Sequence, residues 1–234
     1  MQSVTLSLFR FDRLPARLWV LGQMGLARRV LPRIEGLRFW KLCGSGTDEG
    51  FTPRPNWAVW AILGIWVNAD AARAGMGCAP FTRWRSRADE SMTLYLEPFA
   101  ARGHWSGARP FAPEGTSDGP IAAMTRATVK PSRVLRFWGR VPDISARVGS
   151  DPNVIFKIGI GEVPMLHQVT FSIWPDEDSM AAFARRGPHA EAIRAVREEG
   201  WFNEELYARF RIKGATGTWQ GRDPLSRITE QEAA

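Results

Sequence analysis

The chain has 234 residues, of which 44% are hydrophobic and 24% are charged, a composition typical of globular proteins. These proportions exclude a disordered tail, a collagen-like chain and other low-complexity sequences. No run reaches the roughly 18 to 20 apolar residues that a membrane-spanning helix needs. The first residues also lack the basic region of a signal peptide, so we expect a cytoplasmic protein.

The charge balance is basic, with 31 Lys and Arg against 24 Asp and Glu and a net charge of +7. Such an excess is compatible with a nucleic-acid binder, with an anionic membrane surface or acidic partner, or with a proteome rich in Arg. Because the arginines are scattered, we favour the third explanation, then the second, and expect no nucleic-acid partner. Eleven Trp and thirteen Phe suit a large apolar ligand, although large aromatic residues more often form the core.

The first half of the chain predicts the element order β-α-β-β-α-β. In sequence, the patterns indicate a strand at 4–11, a helix at 14–31, strands at 37–43 and 57–66, a helix from about 68 to 88, and a strand at 92–100. In the first helix, one face carries Leu14, Leu18, Leu21 and Leu26. Asn68 or Asp70 can cap the second helix.

A stretch rich in Gly, Pro and Ser at 103–120 predicts a linker, after which the same order returns. Strands are predicted at 121–129, 154–160, 167–174 and 206–212, and helices at 133–147 and from Glu177, behind the cap Asp176, to about 197. The predicted organisation is an N-terminal module at 1–102, the linker at 103–120, a C-terminal module at 121–214 and a loose polar tail at 215–234.

Two pairs of segments indicate a duplicated unit. Trp66 and Trp174 each close a strand just before an Asp-containing helix start, and residues 39–44 parallel residues 156–161. We therefore predict an α+β fold in which two fused ferredoxin-like modules (βαββαβ) form a domain like a dimeric α+β barrel. Its helices would lie outside, with a pocket between sheet and helices. Chance similarity of short aromatic strands is the alternative.

Common catalytic and metal-binding motifs such as the Walker loop, GxSxG, HExxH and CxxC do not occur in the sequence. His189 follows Gly187-Pro188, which would kink its predicted helix and can aim the imidazole at a Trp-rich cavity, as a proximal heme ligand requires. The simpler explanation is a solvated or capping histidine. His167, at the start of a predicted strand, is the second candidate ligand.

Heme propionates would need cationic partners. Lys41 and Lys157 occupy matching strands of the two halves, and Arg136 is a further candidate among several arginines. Cys43 is an alternative thiolate ligand, although a cysteine in a strand is more often a small buried apolar residue.

Seven segments carry a resemblance to a known family: residues 5–11, 39–47, 50–53, 136–138, 156–162, 167–175 and 201–210. They include Phe-Trp-Lys-Leu-Cys-Gly-Ser-Gly-Thr at 39–47 and His-Gln-Val-Thr-Phe-Ser-Ile-Trp-Pro at 167–175. Over about residues 3–225 the chain resembles the spheroidene monooxygenases, the acyclic carotenoid ketolases of purple phototrophic bacteria. The predicted linker and tail match least.

The resemblance implies a monooxygenase that contains heme b and uses O2 and reduced ferredoxin to introduce a 2-keto group into acyclic carotenoids. It also implies a relation to dimeric α+β barrel heme proteins, whose iron ligand is often a helix histidine of the C-terminal module; His189 occupies the matching place. An Arg-rich surface would then bind peripherally to the inner (chromatophore) membrane and dock an acidic ferredoxin. Two alternatives stay open: a heme enzyme of this fold with another small apolar substrate, and a non-catalytic heme- or carotenoid-binding protein.

Overall fold

The computed structural model describes residues 1–139, 151–185, 199–223 and 225–226, and within them the framework is a closed barrel of eight antiparallel strands. The strands are β1 (Ser3–Arg10), β2 (Leu37–Gly46), β3 (Pro55–Trp66), β4 (Glu90–Gly103), β5 (Ile121–Val129), β6 (Phe156–Val163), β7 (His167–Trp174) and β8 (Phe202–Gly217). The helices are α1 (Leu14–Val30), α2 (Ala69–Met76), α3 (Phe81–Arg87) and α4 (Glu177–Arg185). Residues 134–139 are also helical.

Around the barrel, the strands follow the order β1-β3-β2-β6-β7-β5-β8-β4. In each half, the first strand pairs with the third and the fourth, and the second strand lies beyond the third. The halves meet at two seams, a short one between β2 and β6 and a long one between β4 and β8. The structure confirms a mixed fold of helices around an antiparallel barrel.

Apolar side chains from alternate strand positions fill the barrel interior. Leu6 and Phe210 are fully buried there, and the segment after β4 adds Trp105 and Phe111 to the same cluster. Trp66 belongs to a second apolar layer, which lies between the outer face of β1–β3 and helices α1–α3. Burial of one such large side chain contributes about 1.5–3 kcal/mol relative to exposure.

The first helix lies where the spacing predicts it, but its leucine face points away from the core. The exposed residues include Leu14, Leu18, Leu21 and Leu26. Val20 and Ala27 are the buried residues of α1, and they are seven residues apart, which places them on one helix face. This narrow face packs closely on the crowded aromatic layer of β1–β3, so the wider leucine face is left to the surface.

The single helix predicted from about 68 to 88 is two short helices. Gly77 and Pro80 lie between α2 and α3, and proline has no amide hydrogen to continue a helical ladder. Asn68 caps α2, since its side chain accepts a hydrogen bond from a first-turn amide at 2.9 Å. Asp176 Oδ1 likewise accepts from a first-turn amide of α4 at 2.6 Å, as predicted.

Several strands are longer than predicted. Strand β2 continues to Gly46, β4 to Gly103 and β8 to Gly217, which is inside the predicted tail. The helices predicted at 133–147 and 177–197 are described only at 134–139 and in α4, and His189 lies outside the described residues. In the described ranges, no helix has the length and apolar character needed to cross a membrane.

Candidate functional site

A tryptophan-lined cleft of about 200 Å³, partly open to solvent, lies at the short seam between β2 and β6. Its apolar wall comes from both halves of the chain and includes Trp57, Trp60, Met24, Trp138, Ile160 and Met165. A few polar side chains interrupt this wall, among them Glu162 and Gln168. A mainly apolar cleft with few polar groups is typical of sites for small organic ligands.

Five of the seven segments that carry the family resemblance converge on this cleft. Segment 39–47 supplies Gly44 to its lining, and segment 50–53 supplies Thr52 and Pro53. Segment 136–138 supplies Trp138, segment 156–162 supplies Ile160–Glu162, and segment 167–175 supplies Gln168. Since these segments are far apart in sequence, only the fold brings them to one surface.

Glycines allow two backbones to meet at the wall of the cleft. Gly50 has a φ of +94°, a left-handed conformation that favours glycine, and a Cβ atom there would lie 1.7 Å from the carbonyl oxygen of Gly159. Ser45 Oγ donates to that same carbonyl oxygen at 2.8 Å. The loop after β2 is therefore held directly against β6.

A cluster of charged side chains closes one end of the barrel interior beside the cleft. Arg126 on β5 is only 1% exposed and pairs with Glu204 of β8, while its Nη2 lies 3.6 Å from Glu162 Oε2. Glu162 also pairs with Lys41 Nζ at 2.8 Å and accepts from Trp105 Nε1 at 2.7 Å. This barrel-end cluster fixes the Glu162 carboxylate at the edge of the cleft.

Hydrogen bonds from the loop after β4 stabilise the other carboxylate of the barrel-end cluster. Burial alone would raise the pKa of Glu204, but the amides of Gly107 and Ser106, at 2.7 and 2.8 Å, and the guanidinium of Arg126 outweigh it. The pKa of Glu204 is therefore below its usual value of 4.5. Glu204 consequently stays charged and can balance the buried Arg126.

The neighbouring thiol of Cys43 is fully buried in the apolar barrel interior. Burial, and then the charge of Glu162, raises the pKa of the Cys43 thiol far above its ordinary value. Cys43 thus packs as a neutral thiol.

His167 begins β7 and is part of the barrel-end cluster. Its Nδ1 lies 3.9 Å from Glu162 Oε2. Burial, with the cations Arg126 and Lys41, lowers the pKa of His167 below 6.5, against the opposing effect of Glu162 and Glu204. Val169, two residues further along β7, is in the barrel interior, so strand alternation places His167 on the same inner side.

The three cations predicted to bind propionates have different surroundings. Lys41 is in the barrel-end cluster, where it also donates to Ser106 Oγ at 2.6 Å. Lys157 pairs with Glu49 at 3.0 Å, and Arg136 lies 3.4 Å from Glu199 with 65% of its side chain exposed. The structure does not bring the three together.

The outer face of the second-half sheet is a floor of small side chains. Thr125, Thr170 and Gly159 are aligned across β5, β7 and β6. The next row consists of Ala127, Gln168 and Gly161. Inner neighbours such as Met124 and Phe171 belong to the barrel core, so both rows face outward. This small-residue floor is continuous with the cleft, which Gly161 and Gln168 also line.

The corresponding outer face of the first half is different. There Phe9 aligns with Trp60, and Ile62 lies beside them in the layer under α1–α3. Large side chains thus occupy the first half, whereas the second-half floor consists mainly of small residues, and the backbone of Gly50 lies over Gly159.

Three curated relatives share the sequence over most or all of its length. The spheroidene monooxygenase of Rhodobacter capsulatus is 54% identical over 241 residues, which cover 100% of both chains. That of Cereibacter sphaeroides is 54% identical over 230 residues, covering 96% of this chain and 71% of the relative. That of Rubrivivax gelatinosus is 33% identical over 209 residues, covering 88% and 81%.

Solved structures show the fold alone, because their sequences are distant. An aldoxime dehydratase in complex with butyraldoxime has a TM-score of 0.61 at 12% identity, covering 90% of this chain and 79% of the other. A second aldoxime dehydratase has a TM-score of 0.59 with the same identity. No protein-family model matches the chain. The full-length identity to curated relatives, together with their shared name, shows that the chain belongs to the spheroidene monooxygenase family.

Proposed function

We propose that this protein is a heme-dependent monooxygenase that introduces a 2-keto group into acyclic carotenoids such as spheroidene, with electrons from reduced ferredoxin. The names of the relatives support the carotenoid substrate. The observation that carries the proposal is the convergence of five of the seven family segments on the Trp-lined cleft, which adjoins the small-residue floor.

Part of the floor fits a flat cofactor. Thr125 and Thr170 carry no side chain large enough to hold a macrocycle away from β5 and β7, whereas the backbone of Gly50 covers Gly159 on β6. Heme bound there would supply the activation of O2 that attack on an unactivated C–H bond requires. Lys157 lies on the same outer face, in the row of Ala123 and Ser172 next to that of Thr125 and Thr170. Of Lys41, Lys157 and Arg136, it is therefore the best placed for a propionate. His189 is the proposed axial ligand and His167 the second candidate.

The cleft suits one end of a carotenoid. Trp57, Trp60 and Trp138 offer flat apolar surfaces that bury a polyene terminus and exclude water from the reacting carbon. A carotenoid is much longer than this cleft, so the rest of the substrate would lie outside it. Substrate of this kind is dissolved in lipid, and the protein would work at the surface of a membrane.

Polar groups at the cleft edge would orient the oxidised carbon. Each hydroxylation consumes one O2, two electrons and two protons and releases one water; the second gives a geminal diol that loses water to form the ketone. Glu162, held by Lys41 and Trp105, can accept a hydrogen bond from the first hydroxyl group. That contact would present the same carbon for the second hydroxylation.

The same proposal includes the finer architecture of two fused ferredoxin-like modules, at 1–102 and 121–214, joined by residues 103–120. Each half has the same strand order, which supports this origin. Trp66 and Trp174 also end corresponding strands, and each indole donates at 2.9 Å to a hydroxyl on the sheet.

Absorption spectra test the cofactor. Protein supplemented with hemin should show a saturable Soret band at one heme per chain, with a CO-bound reduced spectrum typical of imidazole ligation. The variant His189→Ala should lose this band while keeping its circular dichroism, and His167→Ala should keep it. The reverse pattern would reassign the ligand, and no stoichiometric band would refute the heme.

Product analysis tests the reaction. With spheroidene, a ferredoxin and its reductase, the protein under ¹⁸O₂ should form a ketone with label in the keto oxygen, measured before exchange with water. Heme binding without any oxidised carotenoid would refute the proposed activity and leave a binding protein.

A further inference from the structure

The outward face of α1 is an exposed apolar surface. Leu14 and Leu18 are 67% and 62% exposed, Leu26 is 50% exposed, and Leu21 is exposed as well. Gly22 and Gly25 lie on the same face, and a Cβ atom at either would meet nothing within 4 Å. A soluble protein rarely exposes several large apolar residues together unless the patch binds something.

Arginines border this apolar face at both ends. Arg28 and Arg29 are exposed in the last turn, and Arg13 and Arg17 lie at the start of the helix. Residues 14–30 contain no Asp or Glu. Among the described residues, neither Arg28 nor Arg29 has an acidic partner. An apolar face with a basic border is complementary to an anionic lipid surface.

The face lies beside the mouth of the cleft. Met24 of α1 lines the cleft together with Trp57, which is 53% exposed. Leu21 and Arg28 are one helical turn before and after Met24, so they border the same side of the helix. A bilayer in contact with this face would therefore lie next to the opening of the cleft.

We propose that the α1 surface, formed by Leu14, Leu18, Leu21, Leu26, Arg28 and Arg29, docks the protein on an anionic lipid bilayer. This inference deepens the proposed function, because a lipid-dissolved substrate would then enter the cleft directly from the bilayer. A second copy of the chain fits this surface poorly. Antiparallel pairing of two α1 helices would place Arg28 and Arg29 of one copy near Arg17 of the other, and residues 14–30 contain no Asp or Glu that could balance these charges.

Vesicle co-sedimentation tests the proposal without heme, carotenoid or ferredoxin. The protein should bind vesicles of phosphatidylcholine with phosphatidylglycerol much more than vesicles of phosphatidylcholine alone, and high salt should weaken binding. The double variants Leu18→Glu/Leu21→Glu and Arg28→Glu/Arg29→Glu should each lose at least about tenfold in affinity. Matched controls are Leu135→Glu, at an 85% exposed leucine, and Arg109→Glu/Arg222→Glu at exposed arginines of other elements.

The outcomes are distinguishable. Equal loss in the control variants, or unchanged binding in both α1 variants, would overturn the proposal. So would a dimer in sedimentation velocity that Leu18→Glu/Leu21→Glu converts to a monomer, because a second copy would then cover the surface. Vesicle binding without any keto product would refute the proposed function alone, and product formation without vesicle binding would refute the docking alone.

Discussion

Gly50 and Gly159 face each other across the short seam with no room for a side chain on either. A Cβ atom at Gly159 would lie 2.5 Å from the carbonyl oxygen of Gly50, and the reciprocal distance is 1.7 Å. Direct pairing of β2 with β6 involves only Gly44 and Ser45 on the β2 side. The glycine contact therefore supplies much of the close packing that joins the two halves at the cleft.

The first prediction concerns this glycine contact. Gly50→Ala must move one backbone away from the other and adopt a left-handed conformation, so it should cost about 3 kcal/mol or more of unfolding free energy. Gly107→Ala is the matched control, since Gly107 has a φ of +76° but open space around it, and should cost about 1–2 kcal/mol. Urea denaturation measures both, and equal values would contradict the close-packing argument.

The second prediction concerns the cleft. A Cβ atom at Gly44 would lie 3.5 Å from the ring of Trp60, an ordinary contact, so Gly44→Ala should be tolerated. Gly44→Leu extends into the cleft and should lower the rate of keto-carotenoid formation by about tenfold or more. The Soret band and the melting temperature of both variants serve as controls. An unchanged rate for the leucine variant would place the substrate elsewhere.

The third prediction concerns the buried arginine. Arg126→Met leaves Glu204 without its cation and should destabilise the protein by about 2–4 kcal/mol. The cost stays moderate because 22% of the Glu204 side chain is exposed, so water still solvates its charge. Adding Glu204→Gln should restore part of this loss, because the uncompensated charge disappears. The comparison is Arg209→Met, which breaks an exposed pair with Glu177 and should cost under about 1 kcal/mol. Similar costs for Arg126→Met and Arg209→Met would show that the barrel-end cluster is not structurally important.

The fourth prediction concerns pH. The pKa of His167 is lowered in the folded protein from its ordinary 6.5, so the unfolded chain binds the proton more readily. This contribution to stability is present above pH 6.5 and is lost as the pH falls through 6.5 toward the folded pKa. Between about pH 7.5 and 5.5, the wild type should lose more unfolding free energy than His167→Gln does. If the unfolding free energy of the two proteins fell equally over this pH range, the lowered pKa of His167 would be contradicted.

Strand positions could be predicted from the sequence because their alternation reflects the apolar barrel interior. The orientation of α1 could not, because leucine spacing shows that a face exists but not which side the sheet occupies. Val20 and Ala27, the residues that do face the sheet, give a weaker pattern. The single helix predicted from about 68 to 88 did not allow for Gly77 and Pro80, although glycine and proline commonly end a helix.

The barrel-end cluster left a signal that sequence reasoning missed. Arg126 continues the inward positions of Ala122 and Met124, and Glu162 continues those of Ile158 and Ile160. A charge on the inner side of an apolar strand predicts a buried ion pair. Its partner could not be named, because β5 meets β8 and β6 meets β2 only through long-range closure of the barrel.

The two seams differ greatly in length, and this has a mechanical consequence. Pairing of β4 with β8 extends from Met92 to Gly103, whereas β2 and β6 share only a brief ladder. Separating the halves at the cleft would break few backbone hydrogen bonds while the long seam stays intact as a hinge. We therefore expect amide hydrogens around Gly44 and Gly161 to exchange well before those of β4. A stiff, elongated molecule could likewise enter the cleft from the side, between β2 and β6, without unfolding either half.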